Sequence, residues 1–340
     1  MALQSRKDEL LIAWKAFDNN KTSEGWQTIP LSRSGPCRLF AGRHFPGNEE
    51  GLLIGFKSLN FSQFSQLPKG KGFVVSKADL GKEGDGIEWI VLTRQIGANL
   101  DLFILMVNDV ISTLDSLSSA SDEKIFTIFL SRIRAWQDFM RRDGQSVLTQ
   151  QEEIGLFGEL ELFRNLVELG ASPEQIVNAW EGPLNGVHDF SFLACAIEVK
   201  TTTSLVNFTI TVGSLDQLDP LIKSPLYLAA VRLEESPSGK SITNQILELR
   251  NFFTDDYESL FMFNTKILQA GFLDSSADRY SKKFLKNEIF LMEVSDQFPY
   301  MSKNNVKKGI INAVYEIDLD NIGVSKFNAN QVLEQLGVTK

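Results

Sequence analysis

The order of strands and helices after residue 149 restricts the fold of this chain more than any other feature. Apolar β-like runs are predicted at 189–193, 194–200, 207–212, 226–233, 288–294 and 310–317. Helical patterns are predicted between them, at 215–222, 243–253, 257–269 and 278–285. Strands that alternate with helices at this spacing pack as a central sheet with helices on its faces. We therefore predict an α/β chain with a mixed, α+β type sheet, in which the first two runs form a hairpin.

The first 145 residues follow a different pattern. A helix over 9–17 precedes four short β-like runs bounded by turns, at 37–45, 52–56, 72–76 and 87–93. Two helices are predicted next, over 101–117 and 122–142. A chain of 340 residues has room for about two domains. We predict a β-rich and helical module over 1–145, a core over 146–320, and a C-terminal tail or helix over 321–340.

The composition is typical of a globular protein of the cell interior. The segment MALQSRKDELL at the start carries charges where a secretory signal has an apolar core. No run of residues stays apolar for the length that a membrane-spanning helix needs. The two cysteines are too few for a disulfide scaffold. We expect a cytoplasmic protein that does not associate with membranes.

Charge is distributed unevenly along the chain. The net charge of −9 argues against binding nucleic acid through the overall field of the protein. Residues 1–145 hold 18 basic and 17 acidic residues, whereas residues 146–340 hold 16 basic and 26 acidic residues. Nine of these acids lie within 146–200, where the only basic residues are Arg164 and Lys200. Carboxylates this concentrated need either solvent or a bound cation.

One predicted strand combines an acid and an amine on the same face. Side chains alternate along a strand, so Ile197 and Val199 point one way while Glu198 and Lys200 point the other. If the hairpin forms, Asp189 approaches Glu198 at one end of the sheet. Paired carboxylate oxygens are ligands that suit Mg²⁺. The alternative is a solvated cross-strand ion pair, because acid-x-Lys triplets are common in sequences.

A helix that precedes this hairpin carries a third acid. Thr149 and Glu152 have the spacing of a capping box at the start of a helix over 149–170. Glu159 lies on the apolar stripe of that helix, where it either reaches water at the rim or faces the strands. Gly155 and Gly158 weaken the helix, so the close approach of another backbone or of a ligand is expected there.

These segments resemble the PD-(D/E)XK phosphodiesterase superfamily. The resemblance is closest to a bacterial family of PD-(D/E)XK proteins associated with restriction and phage-defence gene clusters. It rests on the motif block 149–218 and continues more weakly to 309–317 and into the N-terminal region. The matching stretches are Gly-Leu-Phe-Gly-Glu-Leu at 155–160, Trp-Glu-Gly-Pro at 180–183, His-Asp-Phe at 188–190 and Ile-Glu-Val-Lys-Thr-Thr at 197–202.

The resemblance implies a fold, a metal and a set of roles. It implies a restriction-endonuclease-like sheet with helices on both faces, and metal-dependent cleavage of double-stranded DNA with Mg²⁺ or, in its place, Mn²⁺. Asp189, Glu198 and Glu159 would hold the metal, Lys200 would act on the attacking water, and Gln217 would lie near the site. His188 stands where the motif name has proline, which makes the match less specific.

DNA backbone contacts would require basic groups outside the acidic cluster. Three basic runs are candidates, and each of them is also compatible with an ordinary solvated surface. The runs are Arg132, Arg134, Arg141 and Arg142; Arg279, Lys282, Lys283 and Lys286; and Lys303, Lys307 and Lys308.

Other kinds of site receive little support. Gly239-Lys240-Ser241 ends like a phosphate-binding loop, but Glu234 occupies the position of the required first glycine. A zinc site would need Cys37 and His44 together with His188 and Cys195, and Cys195 lies in an apolar run typical of a core. The sequence has no Gly-x-Ser-x-Gly elbow of a serine hydrolase.

The sequence thus leads to the hypothesis of a Mg²⁺-dependent DNA endonuclease of restriction or phage defence. We expect a homodimer that works with a DNA methyltransferase or an ATPase from the same gene cluster. The N-terminal region would recognise DNA or contact a partner. Two alternatives stay open: a catalytically silent DNA-binding or assembly subunit, and a repair or structure-specific nuclease.

Overall fold

The computed structural model describes residues 2–18, 24–32, 35–57, 59, 67–81, 86–117, 120–141 and 147–336. The chain divides into two compact units, Met1–Gly144 and Gln145–Lys340. None of the helices in the described part of the chain has the length and apolar character needed to cross a membrane. Each unit contains its own sheet and core.

The first unit combines a curled antiparallel sheet with three helices. The strands are β1 (Gly25–Pro30), β2 (Arg38–Phe45), β3 (Glu49–Phe56), β4 (Lys69–Gly70), β5 (Phe73–Ala78) and β6 (Glu88–Arg94), in the order β1-β2-β3-β6-β5-β4. The helices are α1 (Ala2–Lys15), α2 (Leu100–Asp115) and α3 (Asp122–Arg141). The antiparallel sheet and the three helices predicted for this region are confirmed.

Arg132, one of the predicted DNA-contacting residues in this unit, forms an internal ion pair between α3 and α2 instead. Arg132 is only 7% exposed, and its guanidinium donates from Nε and Nη2 to the two carboxylate oxygens of Asp109, each at 2.6 Å. The indole N–H of Trp136 donates to the same carboxylate. The assignment of Arg132 to DNA is therefore wrong, because its buried guanidinium is already bound by both oxygens of the Asp109 carboxylate. Arg134 and Arg141 are exposed, and Arg142 lies outside the described residues.

The second unit is built on a mixed four-stranded sheet in the order β11-β10-β8-β7. β8 runs parallel to β10, whereas the β7–β8 and β10–β11 pairs are antiparallel. The strands are β7 (Phe190–Ser191), β8 (Ala196–Thr202), β9 (Thr209–Val212), β10 (Leu226–Lys240), β11 (Phe284–Glu293) and β12 (Tyr315–Asp318). The helices are α4 (Gln150–Glu168), α5 (Pro173–Ala179), α6 (Ile242–Arg250), α7 (Tyr257–Gln269) and α8 (Ala329–Leu336). The predicted α+β fold with a mixed sheet is confirmed.

Different elements cover the two faces of this sheet. Ile197, Val199 and Val231 join the core cluster that contains apolar residues of α4, α5, α6 and α7. On the opposite face, Leu228 packs in a second cluster with residues of the antiparallel β9–β12 ribbon such as Ile210. In the described residues, the second face is therefore covered by a ribbon and turns rather than by helices.

Two predicted helices of this unit are wrong. Residues 215–222 form turns, because Pro220 interrupts the predicted helix and the stretch between Gly213 and Pro220 is too short to propagate one. Residues 274–279 form a 3₁₀ turn, and β11 begins at Phe284 within the predicted helix 278–285. The reason is pairing with β10, which extends to Lys240 and aligns Glu235 with Phe284. Long-range strand pairing overrides the local helical pattern there.

The two glycines of α4 have opposite surroundings, and this gives a stability prediction. A Cβ at Gly158 would lie 1.8 Å from Thr201 Oγ1 and 2.9 Å from Thr201 Cβ, whereas a Cβ at Gly155 meets nothing within 4 Å. We expect Gly158→Ala to lower the free energy of unfolding by about 1–3 kcal/mol, because β8 must move away. Gly155→Ala should raise it by about 0.5–1 kcal/mol through helix propensity.

Urea unfolding followed by circular dichroism measures both changes, and Gly155→Ala serves as the matched control. Equal midpoints for the two variants would contradict the close approach of α4 to β8.

Candidate active site

A cleft of about 460 Å³ opens where α4, β8 and β9 meet. Most of its wall is polar, and it contains all five residues that the sequence nominated as a site. The lining residues are Gln151, Ile154, Gly155, Glu159, Asp189, Glu198, Val199, Lys200, Thr201, Thr202, Thr203, Thr209, Ile210, Thr211 and Gln217. The structure thus brings Glu159, Asp189, Glu198, Lys200 and Gln217 to one place.

Local strand geometry places two of the acids side by side. In the β7–β8 hairpin Phe190 pairs with Ile197, so Asp189 precedes the pair opposite Glu198. The backbone N–H of Val199 donates to Asp189 Oδ2 at 2.7 Å. Glu198 lies on the face of β8 opposite to the core residues Ile197 and Val199, and it is only 2% exposed because the second core cluster covers that face too. Both carboxylates therefore have their positions fixed by main-chain structure.

The amine of Lys200 lies between an acid and an amide. Its Nζ is 2.8 Å from Glu198 Oε1 and donates to Gln217 Oε1 at 3.2 Å. The backbone N–H of Gly213 donates to the same Gln217 oxygen at 2.7 Å. Gln217 belongs to the turn that replaces the predicted helix 215–222. It can orient Lys200 because its amide oxygen is itself held by the backbone.

Glu159 faces the other acids from α4. The indole N–H of Trp180 donates to Glu159 Oε2 at 2.7 Å. A Cβ at Gly182 would lie 2.4 Å from that same oxygen and 3.0 Å from Asp189 Oδ1. The Glu159 and Asp189 carboxylates therefore converge on the space above Gly182. The helix pattern left two orientations open for the Glu159 side chain, toward water at the rim or toward the strands. In the structure it faces the strands.

Burial makes the charges of these carboxylates costly. Burial raises the pKa of Glu198 to about 8, and the neighbouring charge of Asp189 adds to the rise. Burial and the charge of Asp189 also hold the pKa of Glu159 well above its usual range. For Asp189, burial raises the pKa while the hydrogen bond from Val199 opposes the rise. Carboxylates that repel one another in a low-dielectric site are stabilised by a cation.

The donor set of this cleft suits a hard divalent cation. All three acids offer carboxylate oxygens, the ligand type that Mg²⁺ and Mn²⁺ take together with several waters. Among the residues described, no group of three or more His, Cys, Asp or Glu side chains is arranged as a ready-made metal cage. A Mg²⁺ ion that keeps most of its waters needs only one or two protein carboxylates. The residues present therefore fit such an ion.

Both cysteines and one of the two histidines, His188, are buried. Burial raises the pKa of the Cys37 thiol to about 12 and that of Cys195 to about 11, so both thiols stay protonated. His188 is buried, which lowers its pKa. Cys195 lies in the core cluster of the second unit, as its apolar surroundings in the sequence predicted.

The sequence did not assign roles to three residues that shape the site. Trp180 and Gly182 hold or make room for the acids, and Lys266 supports Trp180. Trp180 and Gly182 lie in the Trp-Glu-Gly-Pro motif at 180–183, so the sequence did show an indole next to a Gly-Pro turn. The sequence contains no sign of a role for Lys266, because this residue is separated from the motif by more than 80 residues.

The basic runs of this unit differ in their relation to the cleft. Lys282 pairs with Glu235, and Lys286 approaches Glu161 on the far side of α4 from Glu159. Lys303 pairs with Asp216, the neighbour of Gln217, at 2.8 Å. Lys307, Lys308 and Arg279 are exposed. An ion pair thus connects the run at 303–308 to the residue that precedes Gln217, and Gln217 lines the cleft.

Comparison with known proteins gives one match. A family model described as "Putative PD-(D/E)XK family member, (DUF4420)" matches residues 11–320. No curated protein and no solved structure matches the chain. The matched range includes every residue of the candidate site and most of both compact units.

Proposed function

Because this chain belongs to the PD-(D/E)XK family DUF4420, we propose that it is a metal-dependent endonuclease that hydrolyses phosphodiester bonds of double-stranded DNA. The observation that carries the proposal is the meeting of Asp189, Glu198 and Lys200 at one end of a buried strand pair, with Lys200 Nζ 2.8 Å from Glu198 Oε1. A solvated ion pair would not require a third acid, the half-buried Glu159, directed at the same space.

Each residue has a separate task in this proposal. Asp189 and Glu198 hold a Mg²⁺ or Mn²⁺ ion, and Glu159 supports it from α4. When bound, the ion supplies charge neutralisation for the phosphodiester and makes water more acidic. Lys200 orients the attacking water and stabilises the charge that develops on it. Gln217 keeps the Lys200 amine directed into the cleft.

The biological setting is also part of the proposal. We infer a role in restriction or phage defence, with a methyltransferase or ATPase of the same gene cluster as partner and a homodimer as the working form. The complete Asp, Glu and Lys set favours an active enzyme over a silent DNA-binding subunit. A repair nuclease would use the same residues, and a methyltransferase gene beside this one would favour restriction.

The test compares wild type with Lys200→Met on methylated and unmethylated supercoiled plasmid and on phage DNA, each with Mg²⁺ or EDTA. We expect wild type to nick DNA only with Mg²⁺. Equal nicking by both proteins would show that the activity comes from a contaminant or from another site. If no substrate is cleaved and the protein binds DNA equally well with Mg²⁺ and with EDTA, the catalytically silent DNA-binding subunit is favoured.

The basic run beside the cleft gives a prediction on DNA affinity. Lys303 of this run pairs with Asp216, the residue before Gln217, which lines the cleft. We expect Lys307→Ala/Lys308→Ala to weaken DNA binding regardless of sequence. The slope of log K against log salt should fall by roughly 1–2 units, since each phosphate contact contributes about 0.9.

The comparison pair Lys282→Ala/Lys283→Ala removes the same charge from another basic run. Fluorescence anisotropy of labelled duplex over a range of salt concentrations measures both variants. If the two pairs lower the slope equally, the loop at 303–308 has no special part in DNA binding.

A further inference from the structure

The segment that follows α5 is anchored from below by a buried lysine. Lys266 is 6% exposed, and its Nζ donates to the carbonyl oxygens of Val177 at 2.7 Å, Asn178 at 3.3 Å and Trp180. Three carbonyls at a helix end otherwise need partners of their own. Lys266 therefore fixes the main chain of Trp180 relative to α7.

The same segment contacts two of the three acids. The Trp180 indole N–H donates to Glu159 Oε2 at 2.7 Å. The next two backbone N–H groups, those of Glu181 and Gly182, donate to the carbonyl oxygen of Asp189 at 2.7 and 3.0 Å. The segment therefore joins the side chain of Glu159 to the main chain of Asp189. Gly182 leaves room for both carboxylates because it lacks a Cβ.

Packing alone does not require an indole at this position. Trp180 is fully buried among Phe163 and Phe263, with ring centroids 6.2 and 6.0 Å away. A phenylalanine would supply the same kind of aromatic contact without a polar atom to satisfy. The one polar atom of Trp180 is the donor that meets Glu159.

We propose that Trp180 is a positioning residue of the metal site, which holds the Glu159 carboxylate toward the other acids and is itself held in place by Lys266. This inference rests on the proposed function, because it presupposes that these acids bind a divalent cation. Partners of metal-binding side chains commonly contribute about 10–100-fold to metal affinity.

The test measures Mn²⁺ binding by the full-length protein through the electron paramagnetic resonance signal of the free ion. We expect Trp180→Phe to weaken Mn²⁺ affinity by about 10–100-fold. Cleavage at limiting Mn²⁺ should fall and recover as Mn²⁺ is raised. Trp136→Phe is the matched control, since it removes another buried indole–carboxylate bond, to Asp109 in the first unit. It should leave Mn²⁺ affinity unchanged.

A double-mutant cycle separates positioning from general loosening. In a Glu159→Gln background, Trp180→Phe should have little further effect on Mn²⁺ affinity, because the residue through which it acts is already altered. An equal loss in both backgrounds would overturn the proposal, and so would wild-type affinity in Trp180→Phe. A wild-type protein that binds no Mn²⁺ would instead overturn the proposed metal-dependent function itself.

A measurement on the unsubstituted protein covers the case in which Trp180→Phe does not fold. With ¹⁵N-labelled tryptophan the protein gives five indole signals, and Trp180 is the only tryptophan after residue 144. Its signal is assigned by elimination with Phe variants of the other four. We expect Mg²⁺ to shift the Trp180 signal and not the Trp136 signal. If the Trp180 signal stays fixed when Mg²⁺ is added, although the protein binds Mn²⁺ in the paramagnetic resonance measurement, the positioning role is refuted.

Discussion

Replacing Lys200 by methionine is expected to slow Mg²⁺-dependent DNA cleavage by about 10²–10³-fold, the usual cost of removing one donor that stabilises developing charge. The Lys200 amine reaches the cleft, where Glu198 and Gln217 fix its place. Methionine keeps an unbranched stem of similar length on β8 and removes only the donor and its charge. Mn²⁺ affinity should not fall, because no negative ligand is lost and a competing cation is removed.

Single-turnover nicking at saturating DNA measures the chemical step, and the free Mn²⁺ signal measures metal binding. Lys223→Met is the matched control, since Lys223 in the same unit donates to a backbone carbonyl, that of Leu193, outside the cleft. It should cleave at the wild-type rate. If Lys200→Met loses Mn²⁺ binding together with cleavage, Lys200 supports the acids rather than the attacking water.

Local patterns were enough to predict much of the site. Alternation along β8 separated Glu198 and Lys200 from the core residues Ile197 and Val199, and the hairpin brought Asp189 beside them. The capping box of α4 is present with both of its hydrogen bonds. These features depend on neighbours within about ten residues, which the sequence displays directly.

Contacts between distant segments were the part that could not be predicted. β11 begins at Phe284 because β10 offers a partner for it, and no pattern near Phe284 contains that information. Arg132 lies on the apolar stripe of α3, three residues after Phe129 and four before Trp136, but its partner Asp109 is 23 residues earlier in the chain. Gln217 reaches Lys200 from a turn and not from the helix that its sequence favoured.

The uneven charge of the chain acquires a physical meaning from the cleft. The sequence showed nine acids within 146–200. Three of them, Glu159, Asp189 and Glu198, line one cleft, where burial raises the pKa of each. Under the proposed function, a total charge of −9 is compatible with a DNA substrate, because the acids would bind a cation and the cation would meet the phosphate.

Replacing Glu198 by glutamine should abolish metal-dependent cleavage and, at the same time, stabilise the metal-free protein. Glutamine keeps the shape of the side chain but removes a buried anion that Asp189 repels. Because the pKa of Glu198 is raised from about 4.5 unfolded to about 8 folded, the wild type loses stability as pH rises between these values. The gain from the substitution should therefore be small at pH 5 and on the order of 1–3 kcal/mol at pH 8.5, after the lost contact with Lys200 is counted.

Mg²⁺ should reverse this order of stabilities. An ion present at 1,000 times its dissociation constant stabilises the folded protein by about 4.1 kcal/mol, which exceeds the advantage of the variant, and Glu198→Gln should lose most of that gain. Thermal unfolding with EDTA and with Mg²⁺ measures both effects.

Glu153→Gln is the matched control. Glu153 is a buried carboxylate of α4 that is 6% exposed and lies outside the cleft, and burial raises its pKa as well. That variant should keep its cleavage activity and its response to Mg²⁺. If Glu198→Gln keeps the response as well, the metal is bound by other residues, and the assignment of Asp189 and Glu198 as its ligands is wrong.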